Sequence, residues 1–181
     1  MRQERERALT LLRQAGAETI DHPGGTLLAH LGRVDALLTS WGARPDLALA
    51  GLCHAFYGTD EFPVALLPLD RRAELVAAIG TGAEELVHFY ASCDRKASYH
   101  GLTDGTAPFV DRFTGRATFP DLSARRDFAE LTAANELDVL AASADMRTRH
   151  GASLRSLLTR WVPLLSPAAR AHCATVLGVN E

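Results

Sequence analysis

The feature that most constrains the fold is an apolar stripe in the second predicted helix. Five apolar residues recur at intervals of four and three positions: Leu27, Leu31, Val34, Leu38 and Trp41. This spacing places them on one face of an α-helix. Residues 46–57 follow after a Gly and a Pro and are apolar on every side beyond Asp46. Because a segment without a polar face must be buried, the pair predicts an all-α bundle.

Periodicity and capping residues predict the remaining elements. The further helices are predicted at 3–16, 70–79, 83–92, 123–144, 151–162 and 167–177. Thr26, Ser123 and Ser166 are the predicted N-caps of the second, the long and the last helix, and Gly178 ends the last one. Residues 109–119 predict one small β-hairpin with its turn at Thr114-Gly115.

Length and composition are typical of a globular protein. The 181 residues, 47% of them hydrophobic, fit a single domain at 1–181 with a substantial core. A net charge of -3 gives no electrostatic case for nucleic acid or an anionic membrane, and no apolar run is long enough for a bilayer span. The charged N-terminus lacks the apolar segment of a signal peptide, and the three cysteines have no ligand spacing. We therefore expect a cytoplasmic protein with reduced cysteines; its oligomeric state stays open.

Two histidines and an asparagine are the candidate ligands of a metal ion. His30 lies beside the apolar stripe, His54 ends the apolar segment, and Asn135 lies on the long helix. Divalent iron, manganese and zinc accept imidazoles and oxygen donors. Asn135 shares its helical face with apolar residues, so its amide needs a partner when buried. The alternative is structural: core histidines bonded to carbonyls and an asparagine that hydrogen-bonds within the core.

The motifs around these residues resemble the HD superfamily of metal-dependent hydrolases. Thr26-Leu-Leu-Ala-His30-Leu-Gly-Arg-Val34, followed by Leu49-Ala-Gly-Leu-Cys-His54, is similar to the opening of that domain, most of all in bacterial alarmone (guanosine polyphosphate) hydrolases. Later motifs of the HD domain have similar counterparts in this chain, at Ile79-Gly80, Leu86-Val87 and Ala134-Asn135-Glu136-Leu137. The resemblance spans residues 22–145 and implies an HD-like bundle, here followed by C-terminal helices at 151–177.

The resemblance implies a metal site with two carboxylates, and this chain departs from it at both. Ala55 stands where the family has an aspartate after the second histidine, and Asn135 replaces the last aspartate. Such carboxylates offset the charge of the ion and orient the attacking water. Asp60, in the loop after His54, and Asp138, on the long helix, are candidate replacements as ligand or proton acceptor.

The segment His54-Ala-Phe-Tyr-Gly-Thr59 resembles a variant motif, His-Ala/Ser-x-Tyr-Gly-Thr, of an uncharacterised group of small bacterial proteins. Within it Tyr57 is a candidate catalytic residue that donates a proton or orients a ligand. Core packing explains this tyrosine equally well.

Four basic residues are candidate substrate contacts. The resemblance implies this role for His22, eight residues before His30; the alternative is that it caps the following turn. Arg95 and His100 lie in a polar loop that contains an aromatic residue, which would close over a small ligand or remain solvated. Arg112 lies in the predicted hairpin, as part of a lid or of a cover for the edge of the core.

Together with the resemblance, these residues predict a small-molecule enzyme whose pocket lies among the helices of His30, His54 and Asn135. The leading hypothesis is metal-assisted hydrolysis of a phosphorylated metabolite, with divalent iron, manganese or zinc as cofactor. One alternative is an iron-dependent oxygenase or oxidase, since relatives similar to myo-inositol oxygenase hold iron on this scaffold. A second is a metal-free HD-like protein, without a cofactor, that acts as an isomerase, lyase, cyclase or ligand-binding domain. A third is a partner-binding domain without catalysis.

Overall fold

A computed structural model describes residues 2–178, which form nine α-helices and two small antiparallel sheets. The helices are α1 (Arg2–Gln14), α2 (Leu27–Ser40), α3 (Pro45–Cys53), α4 (Arg72–Ile79), α5 (Thr81–Ala91), α6 (Arg95–Ser98), α7 (Leu122–Ala142), α8 (Ala144–Trp161) and α9 (Pro167–Leu177). The strands are β1 (Asp21–His22), β2 (Gly25–Thr26), β3 (Phe109–Val110) and β4 (Ala117–Thr118). The predicted all-α class is confirmed, and the predicted hairpin at 109–119 is the β3–β4 sheet; β1 and β2 form a second hairpin that the sequence analysis did not predict.

Helices α2 and α3 follow the apolar pattern that predicted them. All five residues of the α2 stripe are buried, and so is every residue of α3 from Leu47 to Cys53. Fully burying one such side chain stabilises a fold by about 1.5–3 kcal/mol, so the stripe alone fixes the orientation of α2. His54 caps the C-terminal end of α3, which places its ring at the end of a buried helix.

Two helix starts differ from the prediction. Asp121, not Ser123, caps α7: its carboxylate accepts a hydrogen bond from the Ala124 N–H at 2.8 Å. Helix α8 begins at Ala144 rather than 151, with Ser143 as its cap. The first turns of α8 are polar and carry little apolar periodicity, so the sequence signal begins later than the helix.

The core consists of two clusters of buried apolar side chains. The N-terminal cluster includes Leu12, Leu31, Leu52, Leu75 and Val87. The C-terminal cluster includes Val34, Phe128, Leu137, Leu158 and Cys173. Helix α2 contributes to both, and it packs against α3 on one side and α7 on another. The central position of α2 brings its polar residues next to the ends of α3 and the middle of α7.

The hairpin of β1 and β2 holds His22 against α2. Its two-residue turn, Pro23-Gly24, needs glycine at the second position: φ is +82°, and a Cβ there would lie 2.5 Å from the Cβ of Ala142. Thr26 then caps α2, as predicted, by accepting a hydrogen bond from the Ala29 N–H. Within the described part of the chain, no helix is both long and apolar enough to span a bilayer.

Candidate active site

A cavity of about 220 Å³ opens between the β1–β2 hairpin, the end of α3 and the middle of α7. Four of the predicted site residues line it: His22, His54, Arg95 and Asn135. Ala55 and Glu136 also line the cavity. His30 is buried directly behind this wall, next to His22 and Asn135.

His30 joins α2 to α7 through both of its ring nitrogens. Its Nδ1 lies 2.6 Å from Oδ2 of Asp138, and its Nε2 lies 3.0 Å from Oδ1 of Asn135. Arg33 donates two further hydrogen bonds to the Asp138 carboxylate, at 2.7 and 2.9 Å. Burial opposes ionisation of Asp138, but the hydrogen bonds from His30 and Arg33 outweigh it and lower the pKa of this carboxyl. An ionised Asp138 accepts the Nδ1–H and so fixes the ring of His30.

Asp138 was predicted as a metal ligand, but its geometry is that of a supporting residue. Its carboxylate contacts the Nδ1 of His30, on the opposite side of the ring from Asn135, and it is already held by Arg33. It therefore orients the candidate ligand His30 rather than facing the cavity.

The contact between His30 and Asn135 places an amide oxygen against a ring nitrogen. The Asn135 amide nitrogen donates to Oε1 of Glu136 at 3.3 Å, and an ionised carboxylate is an acceptor only, so the amide oxygen is left to face His30. Two acceptors do not attract each other at this distance. A hydrogen-bond donor at Nε2, or a cation beside both atoms, would make this contact favourable.

His54 is held as a neutral imidazole. Its Nδ1 donates to the carbonyl oxygen of Gly51 at 2.8 Å, and its ring lies edge-on to His30 and to Tyr90 at centroid distances of 5.4 and 5.5 Å. Burial, and then repulsion from His30, lower the pKa of His54 to about 3. The Nε2 atom is therefore unprotonated at neutral pH and available as an acceptor or metal ligand.

His22 adds a third imidazole to the cluster. Its ring stacks on His30 with centroids 4.0 Å apart, and burial followed by repulsion from His30 lowers the pKa of His22 to about 4. The Nδ1 of His22 is buried, and within residues 2–178 it has no hydrogen-bond partner. A buried acceptor without a partner is costly, so a bound group at this position would stabilise the protein.

Arg95, Glu61 and Glu136 form a charged wall on the far side of the cavity. Nη1 of Arg95 lies 2.9 Å from Oε1 of Glu136 and 2.7 Å from Oε2 of Glu61. Glu61 is largely exposed, whereas Glu136 is buried, and this burial raises the pKa of Glu136 even though Arg95 opposes the shift. Sequence analysis predicted Arg95 but missed both glutamates; the only signal for Glu136 is its place directly after Asn135.

Besides His30 and Asp138, four predicted residues lie outside the cavity. The Tyr57 hydroxyl donates to Glu84 at 2.7 Å, beneath α4 and α5, because the chain turns after His54. Asp60 is exposed, and its carboxylate accepts a hydrogen bond from the Arg95 backbone N–H. Arg112 donates to the Ala91 carbonyl oxygen at 2.6 Å and stacks over Phe113. His100, the last of these four, lines a neighbouring cleft.

The donor set for a metal is neutral and unusual. Among residues 2–178, no three His, Cys, Asp or Glu side chains form a group that could hold a metal ion. The candidate set instead contains His30, His54 and the amide oxygen of Asn135, which has ligand chemistry although it is neither an acid nor a histidine. Glu136 and Glu61 are the carboxylates on the wall of the cavity beside this set.

The comparisons with known proteins identify a similar domain but no function. Residues 11–95 match the family model of a domain of unknown function, DUF6817. The matched range includes His22, His30, His54, Ala55 and Arg95, whereas the α7 residues of the site lie beyond it. No curated protein and no solved structure matches the chain.

Proposed function

We propose that the cavity is the active site of a small-molecule enzyme in which His30, His54 and Asn135 hold a divalent metal ion. The observation that carries this proposal is the common arrangement of the two histidines. Each commits its Nδ1 to an oxygen, of Asp138 or of the Gly51 carbonyl, and leaves its Nε2 for another partner. In metal sites such outer hydrogen bonds fix the tautomer and raise the basicity of the ligand. The amide oxygen of Asn135, 3.0 Å from one Nε2, is the third donor.

The reaction we propose is hydrolysis of a phosphorylated metabolite, as the HD resemblance implies. A divalent ion supplies two kinds of help in such reactions: it lowers the pKa of a water and polarises the substrate. Glu136 is the proton acceptor that this geometry favours, in place of Asp60 and Asp138, because it lines the cavity and its pKa is raised. Arg95 borders the cavity and is the candidate contact for an anionic group of the substrate, in addition to its ion pairs with Glu61 and Glu136.

A second candidate is a metal-free binding site on the same scaffold. Ala55 is only 2% exposed and places a methyl group where a carboxylate would offset the charge of an ion. In this alternative the Nε2 of His30 carries a proton and bonds to Asn135. The low pKa of His54 suits a hydrogen-bond acceptor for a ligand better than a general base at neutral pH.

Metal titration separates the two candidates. Protein purified without affinity metal is treated with a chelator, dialysed and titrated with Co²⁺, with visible absorption and calorimetry as readouts. We expect one Co²⁺ per chain in the wild type and in the control His172→Ala, a variant of α9 outside the cavity. In His54→Ala and Asn135→Ala the affinity should fall by at least about tenfold. Absence of Co²⁺ binding in the wild type, or unchanged binding in His54→Ala, overturns the metal proposal.

Activity measurements test the reaction itself. With Mn²⁺ present, phosphate release from a panel of phosphomonoesters and nucleotides is expected, and Glu136→Gln should lower kcat more than it changes KM. Oxygen consumption in the presence of iron, without phosphate release, would instead support the oxygenase alternative. All three cysteines are free and buried, which supports the accompanying proposal of a reducing, cytoplasmic location.

A further inference from the structure

A second cleft, of about 370 Å³, adjoins the histidine cavity. Both are lined by Glu61, Arg95, Glu136, Val139 and Met146, so the Arg95 ion pairs are part of the wall between them. On its other side the cleft is bordered by the 95–100 segment and by α8. Helix α8 therefore lies next to the candidate active site, although its sequence gives no such indication.

The cleft carries an excess of positive charge. Lys96 and His100 approach it from the 95–100 segment, and His150 and Arg160 from α8. Within the described residues, neither Lys96 nor Arg160 has an ion-pair or hydrogen-bond partner. Arg95, by contrast, is neutralised by its two glutamates. Two unpaired cations that line one cleft from different segments of the chain favour an anion there.

The floor of the cleft combines apolar surface with one unsatisfied hydroxyl. Its apolar part consists of Val139, Leu140, Met146, Leu154 and Leu157. Tyr99 also lines the cleft, and its buried hydroxyl has no hydrogen-bond partner in the part of the chain that the structure describes. A buried donor without an acceptor costs free energy, which an oxygen atom of a ligand would recover.

We infer that this cleft binds an anionic group, phosphate or carboxylate, of a small molecule whose reacting end lies in the histidine cavity. Lys96 and Arg160 contact the anion, Tyr99 donates its hydroxyl hydrogen, and the apolar floor packs against the body of the molecule. The inference rests on the proposed function for the position of the reacting end. It narrows the substrate class to molecules that carry an acidic group separated from the reacting bond by an apolar or aromatic segment.

Trp161 provides a direct readout of binding. Its ring lies 4.9 Å from that of Tyr99, and its indole N–H donates to the Tyr99 carbonyl oxygen at 3.2 Å. The chain has two tryptophans, so Trp41→Phe leaves Trp161 as the single tryptophan, which excitation at the red edge of the absorption band selects over the tyrosines. Chelator-treated Trp41→Phe protein is titrated with phenyl phosphate, benzoate, inorganic phosphate and the neutral analogue phenol. Calorimetry on chelator-treated wild type repeats each titration without the background substitution.

We expect saturable binding of at least one aromatic anion, with phenol at least about tenfold weaker, the effect of one charge-assisted hydrogen bond. The preference between phenyl phosphate and benzoate tells which anion the cleft favours. Equal affinity for phenol and for both anions, or no binding of any anion, overturns the inference.

Matched charge variants locate the binding. Lys96→Gln and Arg160→Gln should each weaken the bound aromatic anion by at least about tenfold, and Tyr99→Phe by a smaller factor. Arg155→Gln makes the same charge change on α8 at an exposed position outside the cleft and should leave the affinity unchanged. An equal loss in Arg155→Gln and Arg160→Gln would show a general charge effect and overturn the assignment.

These titrations use no metal, so they are independent of the Co²⁺ experiment. Retained anion binding in a protein that does not bind Co²⁺ overturns the proposed metal enzyme and leaves the anion cleft standing. Co²⁺ binding without anion binding overturns the anion cleft and leaves the proposed metal site standing.

Discussion

Ala55 is the residue at which the two candidate functions differ most. It is buried beside His54 on the cavity wall. In Ala55→Asp an unpaired carboxylate would be buried, so without metal we expect the free energy of unfolding to fall by about 1–3 kcal/mol. With Co²⁺ the new carboxylate becomes a ligand, so the affinity should rise at least about tenfold and the lost stability should return. Thermal unfolding with chelator and with Co²⁺ measures both effects.

Ala55→Asn is the matched control, since it has nearly the same shape without the charge. It should lose stability in the chelator and recover little of it with Co²⁺. If the two variants respond equally to Co²⁺, or if Ala55→Asp does not regain stability, the three donors do not share one ion.

The histidine cluster predicts a loss of stability at mildly acidic pH. The pKa of His22 is about 4 and that of His54 about 3, against an ordinary value of 6.5. As the pH falls below 6.5 the unfolded chain takes up protons that the folded chain does not, so the free energy of unfolding decreases towards pH 4. His22→Gln should reduce this slope, whereas His100→Gln, at an exposed position, should not. Urea unfolding between about pH 7 and about pH 5 measures the slope; equal slopes in His22→Gln and wild type would contradict the prediction.

The sequence could predict the position of a side chain where a helix determines the direction in which that side chain points. The apolar stripe of α2 sets the direction of His30, the buried α3 that of His54, and the apolar face of α7 that of Asn135. Tyr57 and Asp60 follow in a turn, where the direction of a side chain depends on dihedral angles that no periodicity records.

Glu136 was missed for a different reason. An acidic residue beside an apolar stripe has the pattern of a solvated position, and its burial here depends on Arg95, which lies 41 residues earlier in the chain. Such a long-range ion pair leaves no local signal in a single sequence.

At the scale of elements, the start of α7 offers a sharp test of capping. The Asp121 carboxylate satisfies the Ala124 N–H, whereas Ser123 lies within the first turn. Asp121→Ala should therefore lower the free energy of unfolding by about 1 kcal/mol, because it removes both the cap and a negative charge near the positive helix end. Ser123→Ala, equally exposed, should change it by less than about 0.5 kcal/mol. Equilibrium urea unfolding compares them, and a larger effect of Ser123→Ala would contradict the assigned cap.

The elements that the sequence did not indicate are those that complete the two sites. The β1–β2 hairpin brings His22 to the cavity, and two-residue strands are too short to show a period. The early turns of α8 bring Met146 and His150 to the cleft, and their polar composition hides the helix. Patterns of burial thus predict the scaffold, while several of the proposed ligand contacts lie in short or polar segments that have no clear burial pattern.

At the scale of the whole molecule, the two core clusters share their helices. Helix α2 contributes Leu31 to the N-terminal cluster and Val34 to the C-terminal cluster, and α5 contributes Val87 and Tyr90 in the same way. Separating the clusters would break both helices and open the cavity at His30. This arrangement favours the prediction that residues 1–181 unfold as one domain.

The cysteines can test that prediction, because they are distributed over both clusters. Cys53 lies in the N-terminal cluster, Cys93 and Cys173 in the C-terminal one, and all three are free and buried. Burial raises the pKa of each thiol, so alkylation requires an opening of the structure. In mild urea we expect N-ethylmaleimide to label Cys53 and Cys93 at the same rate. Mass spectrometry of peptides measures the labelling of each cysteine, and the labelling of Cys173 reports separately on α9. A faster labelling rate at either Cys53 or Cys93 would mean that the two clusters open independently. The cavity between the hairpin, α3 and α7 would then be less stable than it is in a single cooperative core.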